Sequence, residues 1–67
     1  MTDTTNPKGR FMAMVVRAIA LLDEAADPSL PSTHRAIRRQ LQVEYGASQR
    51  AAHRAVSRAR DVRAGQP

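Results

Sequence analysis

Only two of the 67 residues are aromatic, Phe11 and Tyr45, and the chain contains neither Trp nor Cys. Its core must therefore be built from Ala, Val, Ile, Leu and Met, whose compact side chains favour closely packed helices. The alternation of apolar and polar residues that marks a half-buried strand is not visible. We therefore predict one small all-α domain. Without Cys, disulfides and thiolate metal ligands are excluded.

The predicted domain covers residues 10–63, between a disordered arm at 1–9 and a disordered tail at 64–67. The arm is polar and contains Pro and Gly, which disfavour regular structure. Within the domain, hydrophobic periodicity predicts three helices, at 10–26, 33–44 and 49–63.

Turn and capping residues set the expected ends of these helices. Two prolines interrupt the chain between the first and second helix, and Ser32 or Thr33 is expected to cap the second. Gly46 is expected to end that helix, because glycine adopts the left-handed conformation without steric cost. Ser48 is expected to cap the third helix.

The first helix carries more apolar surface than one packing face requires. Its broad core face is predicted to contain Phe11, Met14, Val15, Ala18, Leu21, Leu22 and Ala25. Met12, Val16 and Ile19 form a second apolar shoulder. Two interpretations stay open: this is the central helix of the bundle, or the shoulder is the contact of a homodimer. A partner would help such a small chain, which has no disulfide to stabilise it.

Positive charge is concentrated in the second half of the chain. Residues 1–31 have a net charge of −1, whereas residues 32–67 carry eight arginines against Glu44 and Asp61, a net charge of +6. Such asymmetry is typical of proteins that bind a polyanion. Nucleic acid is the partner it favours most, ahead of a membrane surface or an acidic protein.

The third helix separates its charged and apolar residues almost completely. At about 100° per residue, its small apolar residues share one side: Ala51, Ala52, Ala55, Val56, Ala59 and Val62. The opposite side holds Arg50, His53, Arg54, Ser57, Arg58, Arg60 and Asp61. A helix that enters the major groove of DNA has this composition, although an arginine-lined face can also be no more than a solvated surface.

Two helices joined by a short Gly-containing turn, the second starting with amide and basic residues, form a helix-turn-helix. The residues that carry this pattern are Leu30-Pro31-Ser32, then Ile37 and Leu41, then Gly46-Ala47-Ser48-Gln49-Arg50. The sequence over residues 15–62 resembles the DNA-reading core of GntR-type bacterial repressors. It departs from them in a longer stretch between Ile37 and Gly46, and no β-hairpin wing or effector-binding domain follows.

The resemblance implies double-stranded DNA as the partner and assigns roles to individual residues. Six residues are expected to face the bases: Ser48, Gln49, Arg50, His53, Arg54 and Ser57. Six others are expected along the phosphates: Thr33, Arg35, Arg38, Arg39, Arg58 and Arg60. Lys8 and Arg10 are expected either to reach a minor groove or to belong to the disordered arm.

We therefore predict a small bacterial, phage or plasmid transcriptional regulator that binds a specific duplex sequence as a homodimer or with a partner protein. Three alternatives stay open: a module that binds an acidic surface of host polymerase or a repressor, an excisionase-like architectural DNA binder, and a non-specific RNA or DNA binder. The only apolar run is too short for a membrane span, so a cytoplasmic location is expected.

The sequence shows no candidate residues for catalysis or for binding a metal or cofactor. His34 lies on the apolar side of the second helix and is expected to be a satisfied core or interface residue, whereas His53 is expected at the surface. Two His without Cys give no metal-ligand spacing, and no acid pair or Gly-rich phosphate loop is visible. We expect no catalysis, no cofactor, no metal and no small-molecule effector.

Overall fold

Three helices build the computed structural model of this chain, which describes residues 7–65. They are α1 (Pro7–Glu24), α2 (Pro31–Tyr45) and α3 (Gln49–Arg63). No strand occurs within the described residues. The predicted all-α, three-helix architecture is confirmed.

The first helix is displaced toward the N-terminus relative to its predicted bounds. Pro7–Gly9, predicted as the end of the arm, form its first turn. Proline is tolerated there because the first N–H groups of a helix have no partner within the helix. The remainder of the predicted arm, 1–6, lies outside the described residues. The helix ends at Glu24 rather than at residue 26, and the Ala25 N–H donates to the Leu22 carbonyl over 3.2 Å, a tightened last turn.

The predicted cap of the second helix is wrong. The helix begins at Pro31, and the N-cap is Leu30, which makes no side-chain capping bond. Pro31 supplies a backbone angle already suited to a first helical turn. The Thr33 hydroxyl is used differently, donating to the Asp27 carbonyl over 2.9 Å. This bond ties the first turn of α2 to the preceding loop.

The predicted connection between α2 and α3 is confirmed. Gly46 lies in the left-handed region, with φ of 63°, directly after Tyr45. The Ser48 hydroxyl accepts the Ala51 N–H over 3.1 Å and so caps α3, whose bounds equal the predicted 49–63. The extra length noted between Ile37 and Gly46 belongs to α2, because only residues 46–48 separate the two helices. Of the predicted tail, Ala64 and Gly65 form a turn and 66–67 lie outside the described residues.

The core is almost entirely aliphatic. Its buried members come from all three helices: Met14, Val15, Ala18, Leu22, Ile37, Leu41, Ala52, Ala55, Val56 and Ala59. Three of the four contributed by α3 are alanines with no exposed surface. Small residues let the backbone of α3 approach its neighbours closely, which leaves its long side chains on the outside.

One member of the predicted apolar face of α3 does not join this core. Val62 is 43% exposed, because the core ends one turn earlier, at Ala59. In α1 four residues of the predicted core face, Met14, Val15, Ala18 and Leu22, are buried, and Phe11 and Leu21 pack against them. Ala25, predicted on the same face, lies beyond the end of the helix and outside this core.

Candidate nucleic-acid interface

The six residues predicted to face bases are all exposed along α3 and its N-cap. The buried alanine face of the helix fixes this orientation, since the opposite side must then point outward. Ser48 differs from the other five, because its oxygen caps the helix. The other five present amide, guanidinium, imidazole and hydroxyl groups: Gln49, Arg50, His53, Arg54 and Ser57.

A shallow groove runs between α2 and the first two turns of α3. Arg38 lines it from α2, and Gln49, Arg50 and His53 line it from α3. A second depression continues from it along α2, lined by Arg35, Arg38, Arg39, Gln42 and Gln49. Arg38 and Gln49 belong to both, so three of the residues predicted at phosphates and three predicted at bases share one continuous surface. We call this surface the α2–α3 groove.

Arginines without carboxylate partners dominate this side of the molecule. Within the part of the chain that the structure describes, eight arginines make no ion pair. One of them, Arg10, bonds the Tyr45 carbonyl, and the other seven are Arg35, Arg38, Arg39, Arg50, Arg54, Arg58 and Arg60. Arg17 and Arg63 are the two arginines paired with acids among residues 7–65, and neither lines the groove. Unpaired guanidinium groups keep their N–H donors for an oxyanion such as phosphate.

The remaining residues predicted at phosphates are not part of the groove. Thr33 is half-buried, and its hydroxyl is bonded to the loop. Arg58 lies toward Phe11 of α1. Arg60 faces a cleft beside Pro28 and Ser29 of the α1–α2 loop. The structure thus brings together half of that predicted set and distributes the rest over other parts of the surface.

Arg54 lies over the ring of Phe11, with its guanidinium carbon 5.9 Å from the ring centroid. This distance is within the range of a cation–π contact. The hydrophobic pattern predicts Phe11 only as a core residue. Its contact with Arg54 could not be predicted, because the two residues lie far apart in the chain and the contact leaves no local sequence signal.

Arg10 and Arg17 hold the end of α2 against α1. Arg10 donates to the Tyr45 carbonyl, so it belongs to the folded domain and not to a free arm. Arg17 makes two bonds to the Glu44 carboxylate, from Nε and Nη2, each of 3.1 Å. Gln40 donates to the same carboxylate over 2.8 Å.

These contacts change the ionisation of Glu44. The Arg17 guanidinium and the Gln40 amide hold the pKa of the Glu44 carboxyl below its usual value, because both stabilise the charged form. Glu44 in turn raises the pKa of Arg17. In the α1–α2 loop, bonds from the Ser29 hydroxyl and N–H lower the pKa of Asp27 in the same way.

The two histidines differ as predicted. His34 is buried, and its Nε2 lies 2.6 Å from the Pro28 carbonyl, so it is a satisfied core residue. His53 is exposed. Among the described residues, no three His, Cys, Asp or Glu side chains converge as a metal site would require. None of the described helices is both long and apolar enough to cross a bilayer.

The three residues of the proposed dimer contact have unequal exposure. Met12 and Val16 are 54% and 62% exposed, while Ile19 is half-buried against the core. Self-association through this shoulder stays a prediction.

Comparison with known proteins identifies no relative: no protein-family model matches the sequence, and neither a curated protein nor a solved structure matches it significantly. The likeness to GntR-type repressors therefore rests on the residues that suggested it.

Proposed function

We propose that this chain binds double-stranded DNA in a sequence-specific manner, as the DNA-binding module of a small transcriptional regulator. The observation that carries the proposal is the α2–α3 groove, where Arg35, Arg38, Arg39 and Arg50 lie together without a carboxylate partner among the described residues. Four guanidinium groups held close together repel one another, and binding to a polyanion removes that repulsion.

The position of α3 suits insertion into a major groove. Its 15 residues span about 22 Å, and its alanine face keeps it close to the other helices while its polar side projects. Gln49 and Arg50, in the first turn, are the residues best placed to reach base edges. Glutamine can bond adenine and arginine can bond guanine with two hydrogen bonds each, worth about 1–3 kcal/mol of discrimination per pair.

Arg35, Arg38 and Arg39 would then contact the phosphates beside the groove. Such contacts set the position of the protein on DNA without reading sequence. In this arrangement α2 would contact the DNA backbone and the start of α3 would contact the bases, as in a helix-turn-helix.

Duplex DNA fits this surface better than a single strand does. Single strands are typically bound by exposed aromatic rings on which bases stack. Phe11 and Tyr45, the two aromatic residues of the chain, are both half-buried and packed against the core.

The test is selection of bound sequences from a random duplex pool, followed by polarisation titrations of the selected and a scrambled duplex at several salt concentrations. We expect an enriched consensus, at least tenfold preference for it, and a plot of log K against log[salt] with a slope of about −3 per bound chain, as three phosphate contacts predict. A two-fold symmetric consensus would also support a homodimer.

Two results would contradict the proposal. Equal affinity for selected and scrambled duplexes would leave only non-specific binding. No binding to any duplex at low salt, together with nuclease-resistant capture of an acidic protein, would instead support the protein-interaction alternative.

A further inference from the structure

We propose that Phe11 of α1 is a positioning residue for DNA binding, acting through Arg54. This inference rests on the proposed function and adds α1, which the helix-turn-helix comparison leaves out of the interface. The contact that carries it is the Arg54 guanidinium over the Phe11 ring, at 5.9 Å from the ring centroid.

The ring is itself held in place. Phe11 packs against the buried core from the second turn of α1, so it presents a fixed surface and not a mobile one. An aromatic ring attracts a guanidinium through its face, because the face of the ring carries partial negative charge.

No carboxylate among the described residues forms an ion pair with Arg54. Together with Phe11, the concave surface here is lined by His53, Ser57, Arg58 and Asp61. Asp61 is the one carboxylate among them, yet it makes no ion pair with Arg54 or Arg58 in the described part of the chain. The ring is therefore the contact that orients Arg54.

An arginine oriented in this way is better prepared to bind. A guanidinium that stacks through its face keeps its in-plane N–H donors for an oxygen or nitrogen acceptor. A free arginine loses rotational freedom when it binds, and a side chain already held in one orientation loses less. Arg54 is exposed one turn after Arg50, so the acceptor would be a base edge or phosphate of the same duplex.

Phe11→Leu and Phe11→Trp separate the ring from the bulk of the side chain. Leu keeps an apolar group against the core but removes the aromatic face, whereas Trp keeps a face and attracts cations more strongly than Phe. Each variant would be made in the wild-type chain and in an Arg54→Gln background. Affinity for the selected duplex would be measured by polarisation, and folding by circular dichroism and thermal melting.

We expect F11L to weaken binding by about two- to tenfold, the loss expected when one side chain is no longer pre-oriented. F11W should bind no more weakly than the wild type. In the R54Q background, F11L should have no further effect, since the residue through which Phe11 acts is already gone. A merely structural role would weaken binding equally in both backgrounds.

Several outcomes would overturn the inference. A folded F11L variant that binds like the wild type would do so, and so would an equal loss in both backgrounds. If F11L does not fold, a folded F11W variant that binds more weakly than the wild type would overturn it as well. Wild-type protein that binds no duplex would contradict the proposed function and this role together, whereas the other outcomes contradict this role alone.

Discussion

Arginine serves two different purposes on two sides of this molecule. Where α1 meets the end of α2, Arg10 and Arg17 bond the Tyr45 carbonyl and the Glu44 carboxylate. We call this region the clamp. Across the α2–α3 groove, the arginines have no acidic partner among the described residues. Residue type alone does not separate a structural arginine from one free to bind a ligand, but the presence of an acceptor does.

The two regions meet at the connection of residues 46–48. The clamp fixes the end of α2, and α3 begins after three intervening residues, with Gln49 and Arg50 in its first turn. The orientation of the groove therefore depends on a region that does not itself line it. Changes in the clamp and the connection should therefore affect stability, and changes in the groove should affect binding.

The largest expected effect is on binding, from removing two arginines of the groove. Arg38→Gln with Arg50→Gln should weaken affinity for the selected duplex at least tenfold, because one phosphate contact and one base contact are lost. The melting temperature should stay near that of the wild type, since neither side chain makes an ion pair with a described residue. Polarisation titrations and thermal melting measure the two effects.

The matched control removes the same number of positive charges from paired positions. Arg17→Gln with Arg63→Gln breaks the ion pairs to Glu44 and Asp23. It should lower the melting temperature while leaving affinity of the folded protein within about threefold, since more distant charges are screened by salt. An equal loss of affinity in both double variants would show that net charge alone governs binding.

The next effect concerns the connection. Gly46 has φ of +63°, a conformation that costs a residue with a side chain about 1–2 kcal/mol. A Cβ at this position would lie 3.7 Å from Nη2 of Arg10, an ordinary contact. Gly46→Ala should therefore destabilise the domain by about 1 kcal/mol through backbone strain and not through collision. Gly46→Asn, which tolerates this conformation better, should destabilise less in urea unfolding; equal losses would contradict the explanation.

The same connection shows what could be predicted from sequence. Gly46, Ser48 and the bounds of α3 were predictable because the capping residue and the alanine face are local features. The start of α2 was not, since Pro31, Ser32 and Thr33 all permit a helix to begin. The outcome depends on the loop, where Thr33 bonds the Asp27 carbonyl and leaves Leu30 as the N-cap.

The candidate site was predictable in part for the same reason. The hydrophobic period of α3 determines which of its sides faces outward, so the exposure of Gln49, Arg50 and His53 could be inferred. The sequence does not indicate which arginines are paired with acids. The bonds from Arg17 to Glu44 and from Arg63 to Asp23 join residues that are 27 and 40 positions apart. Those partners meet only after the helices have packed.

Ser48 gives a prediction that separates stability from binding at one position. Ser48→Ala removes the cap of α3 and should cost about 1 kcal/mol of unfolding free energy. Asn and Asp cap helices as well as Ser does, so both should restore stability. Of these two variants, only Ser48→Asn should bind the selected duplex as tightly as the wild type does. Ser48→Asp places a negative charge next to Arg50, and this charge should weaken binding. Urea unfolding and polarisation test this, and an S48D variant that binds DNA like S48N would argue against a phosphate-contacting surface here.

The smallest expected effect is the pH dependence of the clamp. The pKa of Glu44 is lowered in the folded state by Arg17 and Gln40, below its ordinary value of 4.5. A carboxyl group with a lowered folded pKa stabilises the protein above its unfolded pKa, and that contribution is lost as the pH falls through the folded pKa. The melting temperature should therefore fall below about pH 4.5, and Glu44→Gln should reduce this fall. Asp27 has a pKa shifted in the same direction by Ser29, so part of the acid sensitivity should persist in E44Q and decrease further when Asp27→Asn is added. Combining E44Q with Arg17→Gln should add little to the reduced acid sensitivity, because Glu44 is the acid that Arg17 bonds directly. A further reduction in that double variant would mean that the charge of Glu24, which also acts on Arg17, contributes to the acid sensitivity.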